Sequence, residues 1–399
     1  MLLRQCLKLL GVLALYILLV YCAFVYKTFS ARNNRIVGSQ VQNERNTTTI
    51  SKPPSVDTVR IGRTRAAVIN PRSSPAAKTV VKQGGKTVMK PWTEMPLLTP
   101  QFNGRLGNQM FEYASTYALA RAKNMSLYVP SVHILNRLFP LDMATVTSKR
   151  CGGWHPVNAP CCSYDDHLVT RLDSSTCQSV GQYLQSWKFF HPVEESIRRQ
   201  FTFKPSIADR AVNKLVSVKL EFLRRMKDGT RLMRELSNAT GEVKQDLHRV
   251  ENVSATLSVN LTYIGMHVRR GDYLSSMSRR QGRITPPAEY YIHAMRYFRA
   301  IFPNTLFVVA GDDGSWVNRN IGAPDVVVVQ RDSAEVDLCV LSMCNHTILS
   351  VGTFGWWAGF LAGGTTVYYK HPYRNNTEMS RWYPNYDSDF VYPGWIAMS

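Results

Sequence analysis

The 399-residue chain contains no Gly-x4-Gly-Lys-Ser/Thr, no Gly-x-Ser-x-Gly and no His-Glu-x2-His. Those absences exclude P-loop nucleotide hydrolysis, a serine-hydrolase elbow and zinc proteolysis by their usual residue sets. No Cys-x2-Cys occurs among the eight cysteines, and Cys161 lies directly beside Cys162, a spacing ill-suited to tetrahedral zinc. No internal repeat of solenoid period is present. Acidic residues are scarce, 28 against 48 Lys and Arg, for a net charge of +20.

That imbalance is local. Residues 1–95 carry 15 Lys and Arg against 3 Asp and Glu, whereas residues 96–399 carry 33 against 25. The basicity belongs to an extension and not to a folded face, so no nucleic-acid partner is implied. The mildly basic remainder suits an anionic small ligand. With 45% hydrophobic residues, it can bury a sizeable core.

Charge is also missing from Leu9 to Tyr26, 18 residues between Lys8 and Lys27. This is long enough for a membrane-spanning helix, and Tyr21, Phe24 and Tyr26 at its end suit an interfacial belt better than a signal-peptide cleavage site. The expected layout is a cytoplasmic tail (1–8), a signal anchor (9–26) and a disordered stem (27–95) lacking hydrophobic periodicity. Sequons head at Asn46, Asn124, Asn238, Asn252, Asn260, Asn345 and Asn375. Asn46, Asn238, Asn252 and Asn260 are the expected glycosylation sites, whereas Asn345 directly precedes an apolar strand. Six cysteines follow the stem, an even number that suits disulfides in an oxidising compartment. Cys339 and Cys344 fall on an expected buried helix, as free core thiols.

The folded part reads as α/β. A strand ending near Phe102 leads to Asn103-Gly104-Arg105-Leu106-Gly107-Asn108-Gln109, then a helix from Met110 to Lys123 and a strand from Ser126 to Val129. Gly181 to Phe190 looks strand-like, and 193–250 mostly helical. From 261 the alternation is regular: strands 261–268, 306–310, 326–329, 347–351 and 365–369, with helices between them. That pattern predicts a doubly wound parallel sheet.

Chemistry concentrates at His267-Val268-Arg269-Arg270-Gly271-Asp272-Tyr273, where an apolar strand ends. Ligands bind at the carboxyl ends of such strands, and two adjacent guanidiniums suit a diphosphate. Arg270-Gly271-Asp272 also spells an adhesion tripeptide, a frequent accident of short motifs. Gly352-Thr353-Phe354-Gly355 offers backbone N–H groups ahead of a helix from Trp356, either a phosphate cradle or a plain turn. Trp356, Trp357, Phe360 and Leu361 read as core. Metal is weakly supported: Asp387-Ser388-Asp389 lies in a polar tail, and the adjacent Asp312 and Asp313 should point to different sides. Without a metal, leaving-group charge falls to arginine and backbone dipoles.

Three blocks in this order resemble glycosyltransferase family 11, the inverting α-1,2-fucosyltransferases. They are Gly104 to Met110, Gly265 to Tyr273, and Cys344 to Ile348 continuing through Thr353-Phe354-Gly355, extended by Ala358 to Gly364. The likeness spans about 96–370 and is nearest the animal galactoside branch, which shares the type II membrane layout. It implies a GT-B-like fold of two Rossmann-type lobes, an acceptor-side lobe at 96–255 and a GDP-fucose-binding lobe at 256–399. It implies transfer of fucose from GDP-β-L-fucose to the 2-hydroxyl of a terminal galactose, with inversion and no required cofactor or metal, in the Golgi lumen. The acceptor would be a galactose-terminated glycan, and a homodimer is compatible.

By the same resemblance, His267 contacts the nucleoside, and Arg269 binds the β-phosphate with Arg270 in support. Asp337, 16 residues before Thr353, matches a guanine-binding acid, or else a helix N-terminal carboxylate. Gly352, Thr353 and Phe354 form the phosphate loop. Arg105 and Asn108 face the cleft, unless Asn108 simply caps its helix. For the base, Asp272 is the nearest candidate, or it orients an arginine instead; Glu112 is remoter. Related fucosyltransferases place a base just beyond the arginine pair, where Met277 and Ser278 offer none. Alternative readings are another linkage, a protein acceptor, or a catalytically silent lumenal glycan-binding protein.

Overall fold

The computed structural model describes residues 79–83, 86–90, 95–142, 148, 151–226 and 260–399. The expected span at 9–26 and Asn46, Asn238 and Asn252 lie outside the described residues. Among those described, no helix is long and apolar enough to cross a membrane. They belong to one compact unit, residues 68–399.

Two parallel sheets organise that unit. The first has four strands in the order β4-β3-β6-β5: β3 Leu97–Pro100, β4 Ser126–Leu127, β5 His155–Asn158 and β6 Gln178–Gly181. The second has six, β12-β11-β10-β7-β8-β9. They are β7 Thr262–Val268, β8 Thr305–Gly311, β9 Val326–Val328, β10 His346–Leu349, β11 Thr366–Tyr369 and β12 Ile396–Met398. Central strands are covered on both faces, which is why β8 reads Leu-Phe-Val-Val-Ala without alternation. Ahead of both sheets, β1 Thr79–Gln83 and β2 Lys86–Lys90 pair antiparallel. The expected disordered stem therefore ends in a hairpin, whose signal is the Gly84-Gly85 pair between two Val-bearing runs.

Six helices matter to the site: α1 Leu106–Ala122, α2 Pro205–Arg225, α3 Ala288–Ile301, α4 Gly314–Asn320, α5 Ala334–Ser342 and α6 Thr353–Ala362. Helix α1 is buried almost all round, from Met110 to Ala120, because it passes between the sheets rather than lying on a surface. Its Phe111 ring lies 4.6 Å from Trp356 and 5.1 Å from Trp357 on α6. Those tryptophans are core residues, as expected. The Trp357 Nε1–H donates to the Gly107 carbonyl at 2.9 Å, satisfying the indole that burial would otherwise strand.

Of the strand-like stretch Gly181 to Phe190, only Gly181 lies in a strand, as the last residue of β6. After β6 the chain turns through left-handed Tyr183 (φ 55°) and Leu184 (φ 49°), then into a 3-10 turn at Trp187–Phe189. Phe189 and Phe190 are instead buried in the core, with Trp187 packed against it.

Cys151 and Cys177 are disulfide-bonded, 26 residues apart, a closure worth about 3.5 kcal/mol by chain entropy. Cys161 is bonded to Cys162. Cys339 and Cys344 are free and buried, and burial pushes the Cys339 thiol up to about 12.

Candidate active site

Strand β7 sits between β10 and β8, so the chain leaving it emerges at the middle of the six-stranded sheet. That exit is fastened from both neighbours. The Arg269 N–H donates to Ser350 Oγ at 3.1 Å, just past β10, and Ser350 Oγ lies 3.0 Å from His267 Nδ1. Past β8, the Asp312 carboxylate accepts the N–H groups of Arg270 (2.8 Å) and Gly271 (3.0 Å). A Cβ on Gly271 would stand 2.7 Å from Asp312 Oδ2, so glycine permits this approach.

The two arginines do not form one fork. Arg270 stacks over the Trp316 ring at 4.0 Å and donates from Nε to Asp313 Oδ2 at 3.3 Å. Asp313 Oδ1 in turn caps α4 by accepting the Trp316 N–H at 3.0 Å. Arg269 lies over the Tyr273 ring at 4.6 Å and donates from Nε and Nη2 to Asp272, at 3.1 and 2.7 Å. Burial disfavours the Arg269 charge, but the Asp272 carboxylate, together with Tyr273 and Asp312, more than offsets it and holds the guanidinium above its ordinary value. Hydrogen bonding from Arg269 keeps the Asp272 carboxyl below the usual carboxylate range. Arg105, exposed on the first loop, also reaches Asp272 at 3.5 Å. Asp272 is thus committed to orienting arginine, and a depressed carboxylate is a weak proton acceptor.

Helix α6 begins at Thr353, three residues earlier than the sequence suggests, so the glycine-bearing loop is its first turn. Gly352 adopts φ 87°, and a Cβ there would lie 2.7 Å from Arg269 Nη1. A Cβ on Gly355 would lie 2.5 Å from His267 Nδ1. The amides of this first turn have no carbonyl four residues earlier within the helix, and the helix dipole makes them a home for negative charge. Phe354 stands 5.2 Å from the His267 ring. Burial, with the nearby Arg269 charge, lowers His267 to about 3, leaving it neutral near pH 7.

The first loop meets the third directly. A Cβ on Gly107 would come within 2.7 Å of both the Phe354 nitrogen and the Thr353 carbonyl carbon. Thr353 Oγ1 donates to Asn108 Oδ1 at 2.6 Å, and Gln185 Nε2 donates to the same oxygen at 3.1 Å. Asn108 makes no helix cap; it crosses to the other sheet.

Other expected residues fall elsewhere. Asp337 is in the first turn of α5, raised to about 6 by burial, with Oδ1 buried and lacking a hydrogen-bond partner. Glu112 is buried on α1, where its carboxyl oxygens accept the N–H groups of Asn103 (2.9 and 3.1 Å) and Tyr183 (3.1 Å). It supports two loops and faces no cleft. Asp389 is no part of a polar tail: it is buried, accepts the Tyr164 N–H at 2.9 Å and pairs with Lys188 at 2.8 Å. Asp312 and Asp313 do point apart, as expected, and both are occupied by protein donors. No cluster of three or more metal-ligating side chains occurs among the described residues. Asn260 is exposed. Sequence reasoning passed over Ser350, Gln185 and Asp312 as supports, for they act through partners 41 to 83 residues away.

The model of glycosyl transferase family 11 matches residues 234–398. Galactoside 2-alpha-L-fucosyltransferase SEC1 of Bos taurus is 31% identical over 285 residues, covering 68% of this chain and 66% of the relative. Galactoside alpha-(1,2)-fucosyltransferase 2 of Sus scrofa is 31% identical over 276 residues, 66% of this chain and 69% of the relative. The chain thus spans about two thirds of these relatives. Among solved structures, fucosyltransferase NodZ from Bradyrhizobium aligns with 67% of this chain and 93% of its own, at 16% identity and a TM-score of 0.40, too slight a likeness to argue from.

Proposed function

Since this chain belongs to glycosyl transferase family 11, we propose that it transfers L-fucose from GDP-β-L-fucose to the 2-hydroxyl of a terminal galactose on glycoprotein or glycolipid glycans, with inversion. One observation carries the reading: Arg269, held by Asp272, stands at the end of β7 beside the first turn of α6. A guanidinium and a helix N-terminus converging on one point are what a departing diphosphate requires.

In this mechanism Arg269 and the amides of Thr353 to Gly355 take up the charge that develops on GDP as the glycosidic bond breaks. Arg270 stiffens the loop from below through Asp313 and Trp316. Neutral His267 offers a hydrogen bond to the donor without adding a charge. Asp337 receives guanine N–H groups, a role supported by its unpartnered buried oxygen. The charge-stabilising work is assigned to arginine and backbone, with no metal. The two sheets make GT-B-like lobes with the donor between them. Residues 9–26 anchor the body in the Golgi lumen, a reading supported by the Cys151–Cys177 disulfide.

The test is GDP release from GDP-fucose by the full-length protein in detergent, with β-galactosides, followed by assignment of the product linkage. Turnover should persist in EDTA. Absence of transfer to every galactoside by folded protein would sink the reading, as would EDTA inactivation reversed by Mn²⁺.

A further inference from the structure

Asn108 Oδ1 accepts two hydrogens, one from Thr353 and one from Gln185. Gln185 is itself buried, and its Oε1 accepts the Tyr383 hydroxyl proton. Tyr383 is fixed in turn by stacking on Tyr373 and by donation from the Tyr373 hydroxyl to its carbonyl at 2.9 Å. Four side chains from four separate segments therefore form one chain of hydrogen bonds, Tyr383 to Gln185 to Asn108, with Thr353 closing it. Its polarity runs one way: the Tyr383 hydroxyl donates to Gln185 Oε1, Gln185 Nε2 donates to Asn108 Oδ1, and Thr353 Oγ1 donates to that same oxygen. The Thr353 hydroxyl proton is thus directed to Asn108.

Gln185 reaches this position from an unusual backbone. Tyr183 and Leu184, consecutive non-glycine residues, both lie in the left-handed region. Glu112 accepts the Tyr183 N–H, and Ser115 Oγ donates to the Leu184 carbonyl at 3.0 Å. Left-handed backbone at a residue bearing a Cβ is strained and persists only where its surroundings over-determine it. Here helix α1 supplies both restraints.

We propose that Gln185 is a positioning residue for the donor-phosphate loop. It fixes the amide orientation of Asn108, which fastens Thr353 and with it the first-turn amides of α6. Thr353 then serves as the loop's tie, while its backbone and Arg269 face the phosphates. The inference rests on the donor site proposed above but requires nothing of the acceptor.

The experiment is GDP binding by calorimetry on the full-length protein, alongside thermal unfolding. Gln185→Met keeps the shape but removes one of the two donors to Asn108 Oδ1, and should weaken GDP about tenfold, the effect of one buried hydrogen bond lost. Gln185→Glu removes the same donor and keeps the acceptor for Tyr383, so it serves if the methionine variant fails to fold. Asn108→Ala should weaken GDP similarly, and the double variant should be no worse than either single change.

Gln185→Met also strands the Tyr383 hydroxyl, lowering stability. Adding Tyr383→Phe should recover stability while GDP affinity stays low. Affinity that returns with stability would reduce Gln185 to a structural role and overturn the proposal. So would wild-type affinity in a folded Gln185 variant, or losses that multiply in the double variant. A wild-type protein that binds no GDP overturns the donor site itself. One that binds GDP but transfers nothing to galactosides overturns only the acceptor reading.

Discussion

Arg269 and Asp272 make a two-point ion pair, Nε to Oδ1 at 3.1 Å and Nη2 to Oδ2 at 2.7 Å. A carboxylate so engaged fixes the plane of the guanidinium and leaves its remaining N–H groups for a ligand.

Asp272→Asn should therefore lower kcat by roughly 10- to 100-fold through misorientation of Arg269. Because the Asp272 pKa is depressed, its ionised form persists down through the usual carboxylate range and is lost only as pH falls below it. The wild-type rate profile should show no limb from this group near neutrality. An Asp272→Asn profile that loses a neutral limb present in wild type would return Asp272 to the role of base.

The neighbouring arginines should separate on conservative replacement. Arg269→Lys gives up the planar two-point pair and should cost on the order of 10²–10³ in kcat. Arg270→Lys gives up the stack on Trp316 and the Asp313 contact, and should act mainly on stability, by about 1 kcal/mol. Steady-state kinetics and denaturant melts of both variants check the contrast. Equal kinetic losses would show that the pair acts as one fork after all.

Gly107→Ala should be severe for so small a change. Its Cβ would meet backbone atoms of Thr353 and Phe354 at 2.7 Å, and backbone cannot rotate away. Overpacking of this kind costs about 1–3 kcal/mol, and here it also pushes the first turn of α6 from its place. Urea melts and GDP titration of the variant should both shift; an unchanged GDP affinity would mean the loop relaxes freely.

Glu112 supplies a pH dependence of stability. Burial raises its pKa from the ordinary 4.5 to about 8, against the pull of the Asn103 and Tyr183 N–H groups. The folded protein then holds a proton that the unfolded chain releases, so the contribution is fully present below about 4.5 and fades as pH rises through 8. Wild type should lose a few kcal/mol more than Glu112→Gln between pH 5 and pH 9 in urea melts. Parallel curves for the two proteins would refute the assignment.

What the sequence made legible was local. Strands β7 to β11 announce themselves because strands buried on both faces are continuous apolar runs, and the arginine pair stands where one such run stops. Gly181 to Phe190 misled because aromatic residues there satisfy a core, not a strand. Its left-handed turn depends on Glu112 and Ser115, some 70 residues earlier. The early start of α6 was hidden by two glycines, which argue for loop until packing against Gly107 and His267 is known. Asn108 looked like a helix cap because its partner, Thr353, lies 245 residues away. The unequal roles of Arg269 and Arg270 follow from Asp313 and Trp316, whose approach no pattern of spacing encodes.

The aromatic contact between Phe111 and the tryptophans of α6 joins the two sheets through one shared cluster, while a second cluster lies within the six-stranded half alone. The four-stranded half cannot then be completed without the other. On a ribosome, α1 would wait, its apolar flanks uncovered, for more than 200 residues of chain before Trp356 arrives. This shared cluster couples the two halves at equilibrium, and heat unfolding should trace one peak rather than two.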